Sequence, residues 1–328
     1  MSLLDIYDAL LFDLDGTVWE GGRPLPDAPE VINASPVPVV YITNNASRGP
    51  VAVAELLNGM NITTTSDQIL TSAMAAVELV TDQFPVGSPV YVLGSDSFKE
   101  LVTQAGLKVV VSADENPVAV IHGHNPDTGW AQLSEAALAI RRGAKYFASN
   151  LDTTLPSERG LLVGNGSMVA ALVSATGVTP ISAGKPEPAM FYSAQRKLSA
   201  IKPLAIGDRL NTDIAGGVAA GMDSLHVLTG VSLHWALLRA IPEERPTYVA
   251  DGLIDLHRTP EELLPGPQGS FTALFDGDTL VLSGGNNTST ATEALRSAIA
   301  CAWTKPEAFN GEVRAEGQHA QRAVGQWQ

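Results

Sequence analysis

Short apolar runs alternating with longer amphipathic ones constrain the fold of this 328-residue chain more than any other feature. Asp8-Ala-Leu-Leu-Phe12, Val37-Pro-Val-Val-Tyr-Ile42 and Pro89-Val-Tyr-Val-Leu93 are each followed by helical spacing, and segments 117–121, 145–148 and 203–206 repeat the theme. A strand buried on both faces reads as a continuous apolar run, and joining parallel strands requires a crossover. The alternation therefore predicts an α/β fold on parallel sheets. Helical spacing is found at 97–105, 132–142, 167–176 and 212–220, and also over 67–82. No repeat of about 20 to 50 residues recurs, which excludes a solenoid.

Three seams rich in Pro and Gly divide the chain. Phe84-Pro-Val-Gly-Ser-Pro89 follows the 67–82 segment, Val178-Thr-Pro-Ile-Ser-Ala-Gly184 introduces a new strand, and Arg258-Thr-Pro-Glu-Glu-Leu-Leu-Pro-Gly-Pro-Gln-Gly269 reads as a linker. The stretch between the first two has a complete α/β pattern and is long enough for a small domain. The expected organisation is a core formed by 1–83 and 182–258, an inserted α/β domain at 84–181, and a small α+β module at 259–328. In that last module a hairpin around Asp276-Gly277 precedes a helix from 290 to 303.

Charge excludes several partners. With 35 Asp and Glu against 20 Lys and Arg, the formal charge is -15. That is opposite to the basic stripe used on nucleic acid or an anionic membrane. No run approaches the ~18 apolar residues of a membrane helix, and the N-terminus has no basic region before its first acids, so a cytoplasmic protein is expected. The single cysteine, Cys301, forms no disulfide within the chain; it is either a reactive thiol or a small buried residue on a helix.

Polar residues that can carry chemistry gather where strands end. Phe12-Asp13-Leu14-Asp15-Gly16-Thr17 closes the first strand. Residues two apart on a strand face the same way, so Asp13 and Asp15 can present both carboxylates at the sheet edge where α/β proteins bind ligands. Two adjacent carboxylates call for a cation or a shared proton, which suits a Mg²⁺ site with a carboxylate nucleophile; an Asx turn is the plainer alternative. Thr43 and Asn44 end the next strand and can donate to phosphate oxygens, or simply form a turn. Lys185, in Gly184-Lys185-Pro186, can neutralise a phosphate or be an ordinary surface lysine. Asp208 and Asp213, in Gly207-Asp-Arg-Leu-Asn-Thr-Asp213, can serve a metal or cap a helix.

Taken in order, these elements resemble the four motifs of the haloacid dehalogenase superfamily over about residues 6 to 255: Asp13-x-Asp15, Thr43, Lys185, and Asp208 with Asp213. The resemblance implies a Rossmann-like core, helices on both sheet faces, and an inserted cap. Placement of the long α/β insertion after Thr43 is similar to the NagD-like, or p-nitrophenylphosphatase-like, class. Local strings agree: Ile42-Thr-Asn-Asn-Ala-Ser47, His122-Gly-His-Asn-Pro126, Asn150-Leu-Asp-Thr-Thr-Leu-Pro156 and Gly164-Asn-Gly-Ser-Met168. Asp15 narrows the reading to phosphate chemistry, because dehalogenating members lack this second acid and the P-type pumps have Thr there and need membrane helices.

By resemblance, Asp13 is the nucleophile of a phosphatase and Asp15 its general acid and base. Mg²⁺ is held by Asp13, the backbone carbonyl of Asp15 and Asp208, and Asp213 anchors a metal-bound water. Gly16 admits the phosphate, which Thr43, Asn44 and Lys185 bind. Two departures occur: Asn125 stands where the cap loop often has an acid, and Asn211 occupies a position that varies across the class.

Substrate choice is expected in the cap, with His124, Asn125 and Asn150 as candidates. His122 and His124 share a strand face and suit a second metal site, a specificity loop or an ordinary turn. The chain also resembles actinobacterial members of the class with a C-terminal extension, for which glycerol 3-phosphate is the implied substrate. Phosphoglycolate, sugar phosphates and nucleotide monophosphates stay open, as does a non-catalytic sensor of a phosphate ester. The expected partner is a small phosphorylated metabolite, and a homodimer is allowed. The tail of such relatives is described as resembling part of an acetyltransferase fold. Here Ser283-Gly-Gly-Asn-Asn287 suits either a pyrophosphate loop or, with so short a module, packing alone.

Overall fold

The computed structural model of the chain describes residues 1–45, 49–157 and 159–328, so Ala46 and Ser47 of the string ending at Ser47 lie outside the described residues. Two compact units emerge: Met1–Tyr41, Leu56–Thr64 and Gln195–Gln328 form one, and Ile42–Glu55 with Thr65–Ala194 form the other. The α/β class is the one observed, with parallel sheets and connecting helices. Among the described residues, no helix is long and apolar enough to cross a membrane.

In the first unit the strand order is Tyr248–Ala250, Asp223–Val227, Pro203–Gly207, Ala9–Phe12 and Val39–Thr43, with every pairing parallel. The chain crosses into the second unit within Val39–Thr43. Ala9–Phe12 has neighbours on both sides, Phe12 lying opposite Ile206 and Tyr41. Its four residues are completely shielded. Burial of each large apolar side chain contributes roughly 1.5 to 3 kcal/mol, so this strand is a firm support for the turn that leaves it.

The 212–220 helix is not a simple α-helix. Leu210–Ile214 is a π-helical turn, and the α-helix Ala215–Ala219 follows. Gly216 and Gly217 are buried, and Gly217 lets this short helix approach Ala205 of the Pro203–Gly207 strand closely. Widened turns of this kind recur at functional sites because they re-aim a side chain.

The C-terminal residues add a sheet of Phe271–Asp276, Thr279–Gly284 and Val313–Glu316, the first pair antiparallel and the second parallel. Helix Ala291–Ala302 is started by a reciprocal cap: Thr290 Oγ1 accepts from the Glu293 amide at 3.1 Å, and Glu293 Oε2 accepts from the Thr290 amide at 2.8 Å. The tail's Phe271, Leu280, Leu295 and Ile299 share one hydrophobic cluster with Leu210, Ile214, Leu237 and Val249. Buried Arg296 reinforces the join, its Nε and Nη2 donating to the Val249 carbonyl at 2.9 and 2.6 Å. The segment that reads as a linker is therefore tied down: it holds the short helix Pro260–Leu263, and the Gln268 amide donates to Ser297 Oγ at 2.9 Å. Cys301 is half-buried on the tail helix, and burial raises its thiol pKa, which disfavours the reactive thiolate.

The second unit holds a parallel sheet in the order Ile181–Ser182, Lys145–Ala148, Ala119–His122, Pro89–Leu93, Lys108–Val110. Helices Trp130–Arg141 and Asn165–Thr176 pack Ala136, Ile140, Val169 and Leu172 against Tyr91, Val120 and Tyr146. The 67–82 segment differs from the uniform helix predicted: Ile69–Thr71 is a strand, and only Ser72–Thr81 is α-helical. Thr71 makes that break, its hydroxyl accepting from the Met74 amide at 3.4 Å as the helix N-cap.

His122 lies in this sheet at 1% exposure, its Nδ1 2.8 Å from the Tyr146 hydroxyl, and burial pushes its pKa down to about 3. A folded-state value below the unfolded one means that the unfolded chain binds the extra proton, so stability is full above about pH 6.5 and falls as the pH drops towards the folded value. Between pH 7 and 5 this residue alone is expected to remove about 2 kcal/mol of unfolding free energy. Urea titrations across that range check this. His122→Phe should flatten the acid limb by that amount, and an unchanged slope would refute the assignment.

Candidate functional site

Asp13 directly follows the central strand and Asp208 directly follows its neighbour, with the Asp13 amide donating to the Ile206 carbonyl at 2.9 Å. Parallel register thus brings two acids to one sheet edge, and the π-helical turn adds Asp213. Each supplies a carboxylate oxygen within 4.8 Å of the others, and all three are buried. Asp208 is fully enclosed. Its Oδ2 accepts from the Val231 amide at 2.6 Å, its Oδ1 from the Thr17 hydroxyl at 3.4 Å, and its backbone carbonyl from the Ser232 amide at 3.1 Å. Asp213 Oδ2 accepts from the Arg209 amide at 3.0 Å.

Two glycines let the surrounding loops close on Asp208. A methyl group at Gly16, where φ is +84°, would lie 2.6 Å from Asp208 Oδ2, and one at Gly230 would lie 2.0 Å away. Both contacts are impossible, so the cradle admits no side chain. Two carboxylates about 5 Å apart repel by roughly 3 kcal/mol at an effective dielectric of 20. Three buried acids of purely oxygen character, two of them with carboxylates held by backbone amide donors, suit a hard divalent cation such as Mg²⁺.

Asp15 lies apart from this group. Strand alternation ends at Phe12, and the chain turns through Leu14–Thr17, the Val18 amide donating to the Leu14 carbonyl at 2.8 Å. The exposed Asp15 carboxylate accepts from Trp19 Nε1 at 2.8 Å through Oδ1. Its backbone bridges to Trp19, and the Gly16 amide donates to the Trp19 carbonyl at 2.7 Å. Asp15 is thereby fixed at the mouth of the turn rather than beside Asp13 in a strand.

Thr43, Asn44, Lys185 and Asn150 belong to the second unit. Thr43 ends its strand and its Oγ1 accepts from the Asn45 amide at 3.1 Å. Asn44 clasps the Lys185 backbone, with Oδ1 accepting from the Lys185 amide at 2.8 Å and Nδ2 donating to its carbonyl at 3.0 Å. The Lys185 side chain is buried, and Nζ donates to the Ile42 carbonyl at 3.1 Å. Asn150 Nδ2 donates to the Asn44 carbonyl at 2.9 Å, and the Asn150 carbonyl accepts from Asn165 Nδ2 at 2.8 Å. Asn150 is therefore a cross-link beneath Asn44.

The other cap candidates are placed differently. Asn125 closes its own turn, with Nδ2 donating to the Gly94 carbonyl at 3.2 Å and Oδ1 accepting from the Asp127 amide at 3.0 Å. His124 is half-buried in the same loop. His122 is buried against Tyr146 and joins no cluster of candidate ligands among the described residues, where the acidic trio is the group of side chains able to hold a metal ion. Thr17, Gly230, Val231 and Ser232 escaped the sequence reading. Only Thr17 had a signal, its place in the Asp-Gly-Thr run; a backbone amide such as that of Val231 leaves none.

Residues 10–108 match the family described as haloacid dehalogenase-like hydrolase, and residues 182–256 match a second HAD-hydrolase-like family. A D-glycerol 3-phosphate phosphatase of Mycobacterium tuberculosis is 42% identical over 286 residues, covering 84% of this chain and 81% of the relative. An acid sugar phosphatase of Staphylococcus aureus is 38% identical, covering 69% and 88%. Among solved structures, a glycerol phosphate phosphatase from M. tuberculosis in complex with magnesium aligns with a TM-score of 0.94 at 38% identity, covering 100% of this chain and 98% of that one. A variant of thermostable p-nitrophenylphosphatase from Bacillus stearothermophilus aligns with a TM-score of 0.68 at 32% identity, covering 78% and 98%.

Proposed function

Because this chain belongs to the haloacid dehalogenase-like hydrolase family, as a phosphatase, we propose that it hydrolyses a small phosphate monoester with Mg²⁺ as cofactor and Asp13 as nucleophile. The observation that carries this reading is the buried trio Asp13, Asp208 and Asp213 at adjoining strand ends, with their oxygens within 4.8 Å. Asp13, Asp208 and the backbone carbonyl of Asp15 would hold the ion directly, with Asp213 behind them. Once bound, Mg²⁺ offsets the negative charge of the acids and of the phosphate they must approach.

Asp13 attacks phosphorus, the ester P–O bond breaks, and Asp15 gives its proton to the departing alkoxide. Asp15, now ionised, takes a proton from water as that water attacks the phosphoryl group. The bond from phosphorus to Asp13 then breaks, restoring the carboxylate and releasing inorganic phosphate. The Trp19 indole holds Oδ1 of Asp15, which leaves Oδ2 to exchange the proton. Thr43, Asn44 and Lys185 steady the phosphate oxygens, where a loose transition state concentrates charge. A non-catalytic sensor has no use for a nucleophile enclosed with two further acids.

Glycerol 3-phosphate is the substrate we favour, supported by the 42% identity to the mycobacterial D-glycerol 3-phosphate phosphatase and by the structural likeness to a mycobacterial glycerol phosphate phosphatase, which covers 100% of this chain. A panel of phosphate esters assayed with Mg²⁺ and with EDTA tests it. Glycerol 3-phosphate should have the highest kcat/KM, and EDTA should abolish release. A best substrate lacking a three-carbon polyol would overturn the choice of ester, while metal-independent turnover would overturn the mechanism.

A further inference from the structure

The fully buried Asp208 owes its orientation in part to the loop Gly230–Ser232. Val231 donates to Oδ2 at 2.6 Å, and Ser232 is bound three ways: its amide to the Asp208 carbonyl at 3.1 Å, its hydroxyl from the Leu210 amide at 3.1 Å, and its carbonyl from His226 Nε2 at 2.8 Å. The loop runs directly into His234–Leu238, a helix of five residues. A helix this short is not stable unless something outside it holds it.

The C-terminal module supplies the hold. The Trp235 amide donates to the Gln328 carbonyl at 3.1 Å, and Trp235 Nε1 donates to the Trp327 carbonyl at 3.2 Å. The Trp327 ring meets Trp235 edge to face at 5.3 Å and stacks on His234 at 6.4 Å with 15° between planes. Trp327 is itself pinned, since its Nε1 donates to the Ala291 carbonyl at the start of the capped tail helix at 3.1 Å.

We propose that Trp327 is a positioning residue for Asp208, so that the tail sets how tightly the site binds its metal. Trp327 fixes the His234–Leu238 helix, the helix fixes the Gly230–Ser232 loop, and the Val231 amide aims the carboxylate. A ligand must be held within about 0.5 Å, and losing an outer partner of a metal ligand typically weakens binding 10- to 100-fold. The inference rests on the reading of Asp208 as a metal ligand.

The test uses the full chain and Mg²⁺ alone, titrated calorimetrically, with phosphate release from the best ester measured in parallel. Trp327→Ala should weaken Mg²⁺ binding about tenfold or more. Trp235→Phe, which keeps an aromatic ring but removes the Nε1 donor and trims the indole, should weaken it several-fold and decides the matter if Trp327→Ala does not fold. Phe309→Ala, which loosens the tail where Phe309 packs on Phe275, should lower Tm while leaving Mg²⁺ affinity within twofold. Unchanged affinity in Trp327→Ala and Trp235→Phe would overturn the inference, as would equal weakening in Phe309→Ala. An unaltered protein that neither binds Mg²⁺ nor releases phosphate would sink the functional reading itself, a result distinguishable from failure of the variants alone.

Discussion

Asp13→Asn is expected to lower phosphate release at least about 10⁴-fold while leaving a folded protein, because an amide cannot attack phosphorus and nothing nearby replaces it. The exchange is isosteric and the side chain is 9% exposed, so packing is preserved. It also removes one of three mutually repelling charges within 4.8 Å of one another, so the melting temperature without metal should hold or rise. Phosphate release, circular dichroism and a thermal scan on one preparation separate the two effects. Mg²⁺-dependent turnover in the variant within tenfold of the unaltered protein would remove Asp13 as nucleophile.

Lys185→Met is expected to reduce kcat/KM by about 10²- to 10³-fold, because it keeps the apolar stem and deletes the one charge assigned to the phosphate oxygens. Burial amplifies the effect, since an ammonium at 4% exposure acts with little screening by water. Lys185→Arg should not restore activity, as the larger fork cannot occupy the space beside the Ile42 carbonyl now filled by Nζ. The Asn44 clasp acts on the Lys185 backbone and survives both changes, so the fold should too. Saturation kinetics on the best ester check this, and a loss below tenfold in Lys185→Met would move phosphate binding elsewhere.

Strands whose residues all face apolar surroundings were legible in the sequence: Ala9–Phe12, Val39–Thr43 and Pro203–Gly207 are buried throughout. Asp223–Val227 was not, because Ser224 and His226 break its apolar run. Both polar residues are nonetheless shielded from water, and the structure satisfies them locally: Ser224 exchanges hydrogen bonds with Thr247, and His226 binds the Ser232 carbonyl. Burial pushes the His226 pKa down to about 4, so the ring stays neutral and Nε2 carries the proton that this carbonyl requires. Ile69–Thr71 was hidden in helical spacing by its brevity, and Val313–Glu316 by the charges on its outer face.

The acids of the site were legible for a related reason. Asp13 and Asp208 interrupt apolar runs at the moment a parallel strand must end, a place where a charge has no use in packing. The i, i+2 rule that paired Asp15 with Asp13 held only while the chain was a strand, and it lapses after Phe12. The groups that position the acids were out of reach, because they are backbone amides and Gly230, whose value lies in a contact with residue 208 that no local pattern encodes. Asn150 carried a visible motif, and the structure adds that its amide braces Asn44.

The strand order also dictates a sequence of events during synthesis. Ala9–Phe12 leaves the ribosome first, yet Ala9 pairs with Pro203, and Tyr248–Ala250 completes the far edge later still. The strand that delivers Asp13 gains Val39–Thr43 on one edge early, but its other edge must wait while the second unit emerges, and the sheet of that unit, Pro89 to Ser182, has been synthesised in full before the waiting ends. A nascent chain stalled before residue 203 would therefore hold this strand by its Val39–Thr43 edge alone, with the edge meant for Pro203–Gly207 left open. An open strand edge of this kind is a template for pairing with another chain until Pro203–Gly207 arrives to cover it.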